Sequence, residues 1–534
     1  MSGNKVVTDE DIIEAISEWP ITESIPYTDD RTEHIHNPAS LSSFFLRNVG
    51  KPRKVAEKVR EEEPGEEEVL VETALARWWK KTGRHLLLGV ELPSTDNPNT
   101  LINYVAGTDE GLEFMQGEIR RLRNKLSCGS KNISVSSALS SFYERLGNLT
   151  LAKLHLEKVR EHHSEDKEAE WRLARLERAE GHRHRQEEIL REMDHNSLSQ
   201  LTFPAHSQVE RVPASGLSYS DFLHKYAQTS TPVIVTGLQI TSQPWTLDHV
   251  SKVAGECDAP VKKPVKESVK FAHLEDCGTM KVKDIIDSLH GDLPHDQQVY
   301  LFDWSLPCHC PELAKEITIP KYFAGDLLQR TSADSLYQDS WPSLFIAPAG
   351  LTSELHVDTF GSNFWMALFQ GKKRWTFFRR EDISLLYPVY NNPWSEDPNF
   401  RVDLDSPDLS QFPLLAHTHP VQCVLEPGEV LFVPAGCPHR VENLESSLAI
   451  SANYIDLSNL HLAQRELTLA ALLHSRSHDL LEQLSDPNFP NKHWSDIDHM
   501  KFEEFKSWVK LKEQYELFDI TLESVEKEQK VLTV

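Results

Sequence analysis

The sequence predicts an α+β multidomain chain. Its centre reads as a β-sandwich or barrel, with a mainly helical region before it and further helices after it. Three observations carry this expectation. From about Thr202 to Leu457, short aromatic and β-branched runs recur between Pro and Gly. Ahead of them, in residues 69–200, apolar residues recur at helical spacing. Beyond Leu457 the helical spacing returns.

Four segments follow from this: 1–68, irregular and partly helical; 69–200, helical; 201–457, the β domain; 458–534, a helical extension. In the first, Glu10–Trp19 reads as a short helix, and the charged break Glu61–Glu68 reads as a solvated loop. Val69–Lys81 reads as an amphipathic helix carrying Leu75 and the Trp78-Trp79 pair. From Ser137 onward, two apolar helical arms flank a Gly147-Asn148 turn. This resembles one tetratricopeptide-type hairpin, although such repeats reach stability in stacks of about three. Residues 162–192 are nearly all charged or polar and read as an exposed helix. Strands are expected at Thr231–Gly237, Val299–Asp303, Ser343–Ala347, Leu355–Val357, Asn363–Phe369, Arg374–Phe378, Val421–Leu425, Val430–Val433 and Leu448–Tyr454. Leu460–His474 and Lys501–Leu517 read as helices, and their apolar spacing makes them candidates for pairing two chains.

The chain has 534 residues and a net charge of −26, which disfavours nucleic acid and anionic membranes as partners. A basic polypeptide is compatible with it. The 7 cysteines are odd in number and widely spaced, so no disulfide framework is expected. The N-terminus has neither the basic nor the apolar region of a signal peptide, and no apolar run approaches the roughly 20 residues of a membrane span. Cytoplasm, nucleus or both is the expected location.

The chemistry concentrates in His356-Val-Asp358 and, far downstream, in His439 of the Gly428–His439 run. Two histidines and a carboxylate form the ligand set of a non-haem Fe(II) oxygenase site, with positions left open for other ligands. Residues i and i+2 of a strand share a face, so His356 and Asp358 can grip one ion from one strand. His439 would then come from a second strand folded over the first.

Thr352–Trp375, containing the HxD and the Gln370-Gly371-Lys372-Lys373-Arg374-Trp375 run, together with Pro427–His439, resembles the JmjC (Jumonji C) family. The likeness covers roughly 205–457 and is nearest to the small JmjC hydroxylases of the arginine demethylase and lysyl hydroxylase type. It implies a double-stranded β-helix, the cupin or jelly-roll fold. It also implies an oxygenase using Fe(II), with 2-oxoglutarate and O2 as cosubstrates. His356, Asp358 and His439 match the iron ligands. Lys373 matches the lysine that binds the distal carboxylate of 2-oxoglutarate, and Lys372 should point the opposite way. Tyr300, Ser353, Ser451 and Asn453 match further polar contacts to the cosubstrate. One departure stands out: Met366 occupies a position that often carries Asn, which removes a possible hydrogen bond.

Other clusters carry less. His417 and His419 lie in a Pro-flanked stretch and read as loop residues. Cys308-His309-Cys310 has no partner pair at zinc-finger spacing. Trp304, Trp341, Trp365 and Trp375 read as core or rim aromatics. The expected activity is protein hydroxylation, or N-methyl demethylation on the same chemistry. The alternatives are a non-catalytic scaffold binding partners through the helical region, and an oxygenase acting on a nucleic acid or small molecule.

Overall fold

The computed structural model describes residues 116–486, with short interruptions, the longest at 125–132, 194–199, 290–297 and 332–339. The helices expected at Glu10–Trp19, Val69–Lys81 and Lys501–Leu517, and the whole segment 1–68, lie outside the described residues. By contact density the chain divides into two compact units. One comprises 1–181 with 265–275 and 390–394; the other comprises 182–264, 276–389 and 395–534.

In the first unit, Ile133–Arg145 and Leu149–His162 form the expected helical hairpin. Asn148 caps the second arm, its Oδ1 accepting from the Leu151 amide at 3.1 Å. Leu139, Phe142, Leu156 and Val159 pack between the arms. The charged stretch that follows is a helix, Lys167–Glu192, but its first half is not exposed. Ala169, Leu173 and Leu176 enter the hairpin core, and Arg172 is buried against Glu144 at 3.0 Å. Sparse apolar residues at i, i+4 and i+7 sufficed to bury one face, and buried arginines paired with acid did the rest.

The second unit is built on a two-stranded ribbon, β11 (Pro388–Val389) with β12 (Asn399–Phe400), and two large sheets. The smaller has the order β1-β13-β10-β15-β8. Its members are β1 (Ser207–Gln208), β13 (Val421–Leu425), β10 (Lys373–Phe377), β15 (His439–Asn443) and β8 (Thr352–His356). The larger has the order β2-β3-β14-β9-β16-β7-β6-β4-β5. It comprises β2 (Glu210–Pro213), β3 (Val233–Thr236), β14 (Glu429–Val433), β9 (Asn363–Gln370), β16 (Ser447–Tyr454), β7 (Ser343–Ala347), β6 (Tyr300–Ser305), β4 (Asp258–Pro264) and β5 (Leu274–Lys281). The two faces meet: the Trp375 and Phe364 rings lie 6.1 Å apart, and Lys373 Nζ lies 5.6 Å from the Tyr300 ring centre. This is the face-to-face packing of a jelly roll.

Period-two alternation decides which side chains enter the interior. On β16, Leu448, Ile450, Ala452 and Tyr454 face an outer core that also holds Trp245, Trp304, Trp365 and Phe432. Ser447, Ser451 and Asn453 therefore face inward. Trp375 is buried with them and Trp341 is half-buried at the rim, so the four tryptophans divide into core and rim as expected.

Gly371 makes the β9–β10 turn. Its φ is +81, and a Cβ there would meet the Ser446 carbonyl oxygen at 2.3 Å. Gly371→Ala should therefore cost more than about 2 kcal/mol, read as a drop in thermal midpoint.

The C-terminal helices Leu460–Ala470 and Ser475–Ser485 fold back onto this unit. Ala463, Leu467, Leu480 and Leu484 pack with Leu327, Leu328, Phe360 and Ile455. The apolar face of the first of the two helices offered above for pairing two chains is thus packed within one chain; the second lies outside the described residues. Among the described residues no helix is long and apolar enough to cross a membrane.

Candidate active site

β8 and β15 are antiparallel neighbours, and His356 and His439 are direct cross-strand partners. The second histidine therefore comes from the adjacent strand of the same sheet rather than from one folded over the first. β8 ends at His356, but the backbone stays extended through Asp358, at φ −66 and ψ 145. That extension preserves the i, i+2 relation past the last ladder bond.

A bulge interrupts the β8–β15 pairing between His439 and Val441. Ser353 and His356 are three positions apart, so a regular strand would send them to opposite faces. The extra residue brings both inward. Glu354 points out and pairs with Arg440 at 3.1 Å.

His356 Nε2 lies 4.0 Å and His439 Nε2 3.9 Å from Asp358 Oδ1. One ligand atom from each residue lies within 4.8 Å of the other two, so a single ion can be held among them. The far side of each ring is already committed. His356 Nδ1 faces the Glu354 carbonyl at 2.5 Å, and His439 Nδ1 faces the Cys437 carbonyl at 3.0 Å. A carbonyl only accepts, so each Nδ1 carries the proton and each Nε2 presents its lone pair. Asp358 Oδ2 is buried without a hydrogen-bond partner. Burial pushes the Asp358 carboxyl up, with His439 pulling the other way, Asp303 adding to the rise and Asn453 easing it. A buried carboxylate in this state fits a cation.

Deeper between the sheets lies Lys373, fully buried. Its Nζ donates to Asn443 Oδ1 at 2.6 Å, and among the described residues it makes no ion pair. Burial pulls it down to about 7. The neighbouring Lys372 points outward and pairs with Glu445 at 2.8 Å. Tyr300 and Ser353 are buried in the same interior, the Tyr300 ring centre 5.6 Å from Lys373 Nζ; burial raises the Tyr300 phenol above its ordinary value, with Ser353 pulling the other way. Ser451 Oγ is buried with no partner. Asn453 Nδ2 donates to Ser362 Oγ at 2.9 Å. Met366 is buried opposite Ser451 in the sheet register, so the pocket is apolar there. Trp375 and Phe377 stack 5.6 Å apart, and the Trp375 ring lies 5.6 Å from His439, so on this strand an apolar face runs from the lysine to the cluster.

The structure thus brings the eight expected residues onto one interior. The other clusters stay apart from it. His419 pairs with the buried Asp382 at 3.1 Å. Cys308 is exposed and Cys310 buried, and neither belongs to a metal-competent group among the described residues. The exposed trio His478, Asp479 and Glu482 is the other such group.

Two residues escaped the sequence reading. Asp303 sits in a bulge of the β6–β7 pairing at φ +55, exposed, with Oδ1 accepting from Trp341 Nε1 at 3.2 Å. Its charge is felt by both Asp358 and Tyr300, so an exposed acid lies near the buried site. A positive φ at a non-glycine residue and a bulge are both devices that re-aim a side chain. The other is Asn443, the acceptor for Lys373.

The sequence profile of the cupin-like domain family matches residues 219–459. Residues 219–459 form a cupin-like domain. Relatives of the chain include the bifunctional arginine demethylase and lysyl-hydroxylase psr-1 of Caenorhabditis elegans, 27% identical over 276 residues, covering 48% of this chain and 64% of that one. The 2-oxoglutarate and iron-dependent oxygenase JMJD4 of Gallus gallus is 28% identical over 293 residues, covering 50% and 65%. Lysine-specific demethylase 8 of Danio rerio is 29% identical over 274 residues, covering 50% and 63%. The chain therefore spans less than two thirds of each of these curated relatives.

Proposed function

We propose that this chain is an Fe(II)- and 2-oxoglutarate-dependent oxygenase acting on a polypeptide. One observation carries the reading: a buried His-Asp-His cluster shares the interior between the sheets with a buried lysine that, among the described residues, has no acid to pair with. Neutral imidazoles plus one carboxylate suit Fe(II). An unpaired buried ammonium beside two hydroxyls suits an incoming carboxylate. In register, Lys373 faces Asn443 and Phe377 faces His439, so roughly 13 Å of strand separates the two ends. A lysine side chain and a five-carbon dicarboxylate together fill such a span. The names of the relatives point the same way.

In this reading His356, Asp358 and His439 hold the iron. Lys373, Tyr300, Ser353 and Ser451 hold the cosubstrate. Asn453 steadies the inner wall, and Trp375 and Phe377 keep water from the reacting atoms. Bound iron would supply the redox chemistry, with O2 as oxidant: one of its atoms would enter a substrate C–H bond and the other the succinate left when 2-oxoglutarate loses CO2. A side-chain carbon so attacked keeps its hydroxyl, whereas a hydroxylated N-methyl group breaks its C–N bond and leaves as formaldehyde, the nitrogen regaining a hydrogen.

Anaerobic addition of Fe(II) and 2-oxoglutarate should produce a weak visible charge-transfer band. A colourless mixture would sink the proposal.

The exposed carboxylate of Asp303 near the cluster fits a basic peptide. Asp303→Asn should leave the visible band unchanged and raise KM for lysine- or arginine-containing peptides about tenfold, the scale of one charged hydrogen bond. Equal turnover of basic and acidic peptides would count against this assignment.

A further inference from the structure

We infer that Asn443 is a positioning residue for Lys373, holding the ammonium with a neutral acceptor so that its charge is reserved for the carboxylate of the ligand. The inference rests on the oxygenase reading above.

Asn443 and Lys373 are direct cross-strand partners on β15 and β10. Asn443, Lys373 and Ser447 are all fully buried. Lys373 Nζ donates to Asn443 Oδ1 at 2.6 Å, and Ser447 Oγ donates to the same oxygen at 2.9 Å. Asn443 Nδ2 donates to the Leu351 carbonyl at 2.7 Å. That carbonyl can only accept, so the amide nitrogen must lie on its side and the amide oxygen must face Lys373. The backbone is locked too. Asn443 N–H donates to Leu351 O at 3.0 Å, and Asn443 O accepts from Gly350 N–H at 2.6 Å.

An ammonium has three donors. Asn443 engages one and fixes the direction of the rest. An acid at this position would hold Lys373 as firmly but would also neutralise it, and a ligand carboxylate would then meet a cancelled charge. The amide separates the two tasks. It aims the lysine without satisfying its charge.

The test measures 2-oxoglutarate binding to Fe(II)-loaded, anaerobic protein, followed by the visible band, beside steady-state kinetics. Asn443→Asp is isosteric. It should weaken binding at least tenfold and raise KM for 2-oxoglutarate by the same factor, with kcat at saturation within twofold of wild type. Its carboxylate would face the Leu351 carbonyl, so Asn443→Ala serves as a second variant, made both alone and with Lys373→Met. Alone it should weaken binding several-fold. With Lys373→Met it should add nothing, because a residue acting through Lys373 has no effect once the lysine is gone. Wild-type binding in both single variants overturns the inference. So does an Asn443→Ala penalty that is the same with and without Lys373. A wild-type protein that binds no 2-oxoglutarate removes the oxygenase reading itself, and the inference with it.

Discussion

His356→Ala should lose the visible iron band and reduce turnover by about 1,000-fold or more, because the bound metal supplies several kcal/mol of the chemical step. The geometry makes this the largest effect available at the site. His356 Nδ1 is committed to the Glu354 carbonyl, so the ring is oriented before any ion arrives. Alanine removes one of three ligands and leaves Asp358 Oδ2 still buried and unpartnered. No other side chain of the described cluster can replace the lost nitrogen. Fold should be retained, since β8 keeps its ladder with β15. His419→Ala is the control. That histidine pairs with Asp382 and lies in none of the metal-competent groups among the described residues, so activity and band should survive. A His356→Ala protein that keeps the band would overturn the site.

Lys373→Met should have the second largest effect, with opposite signs on two readouts. KM for 2-oxoglutarate should rise about 100- to 1,000-fold, the cost of removing one partner from a buried ion pair. The ligand-free protein should become more stable. Burial holds Lys373 at about 7, against 10.5 ordinarily. Between those values the unfolded chain binds the proton and the folded chain does not, so wild-type stability falls as pH drops from about 10 towards 7. Below about 7 both states are protonated and the penalty is complete. Methionine carries no such penalty. The gain in melting temperature should therefore be small near pH 10, grow as pH falls, and level off below 7. Saturating 2-oxoglutarate should flatten the wild-type slope, since the ligand's carboxylate raises the lysine again. A pH-independent difference between the two proteins would refute the account.

Legibility in the sequence followed the physics of each element. Apolar strands such as β7 and β13 announced themselves, because both faces or one whole face must be buried. β4 and β5 did not. Their sequences, DAPVKKP and LEDCGTMK, are polar, and they close one end of the larger sheet, where edge strands carry charge to discourage further pairing. The helix Lys167–Glu192 was read as exposed because its buried face includes two arginines, which composition counts as surface. The metal triad was legible because its residue types and flanking motifs are distinctive. The route by which it assembles was not: the bulge that turns Ser353 inward, and the register that sets Asn443 opposite Lys373, belong to strand pairing and leave no local mark. Asp303 was hidden for the same reason.

Asp358 ends on a tight turn, Thr359–Gly361, in which Gly361 has φ +62. A Cβ on Gly361 would meet Leu462 Cγ at 2.9 Å. The helix that begins at Leu460 is therefore seated directly on the turn that follows Asp358. The family match stops at residue 459, one residue before that helix. What sequence similarity marks as the end of the domain is, mechanically, the middle of its clamp. A fragment cut at that border would keep every side chain of the cluster and lose the weight that holds one of them in place. Drift in the tail of this chain over evolution would likewise be felt as looseness at a carboxylate, though no residue near it had changed.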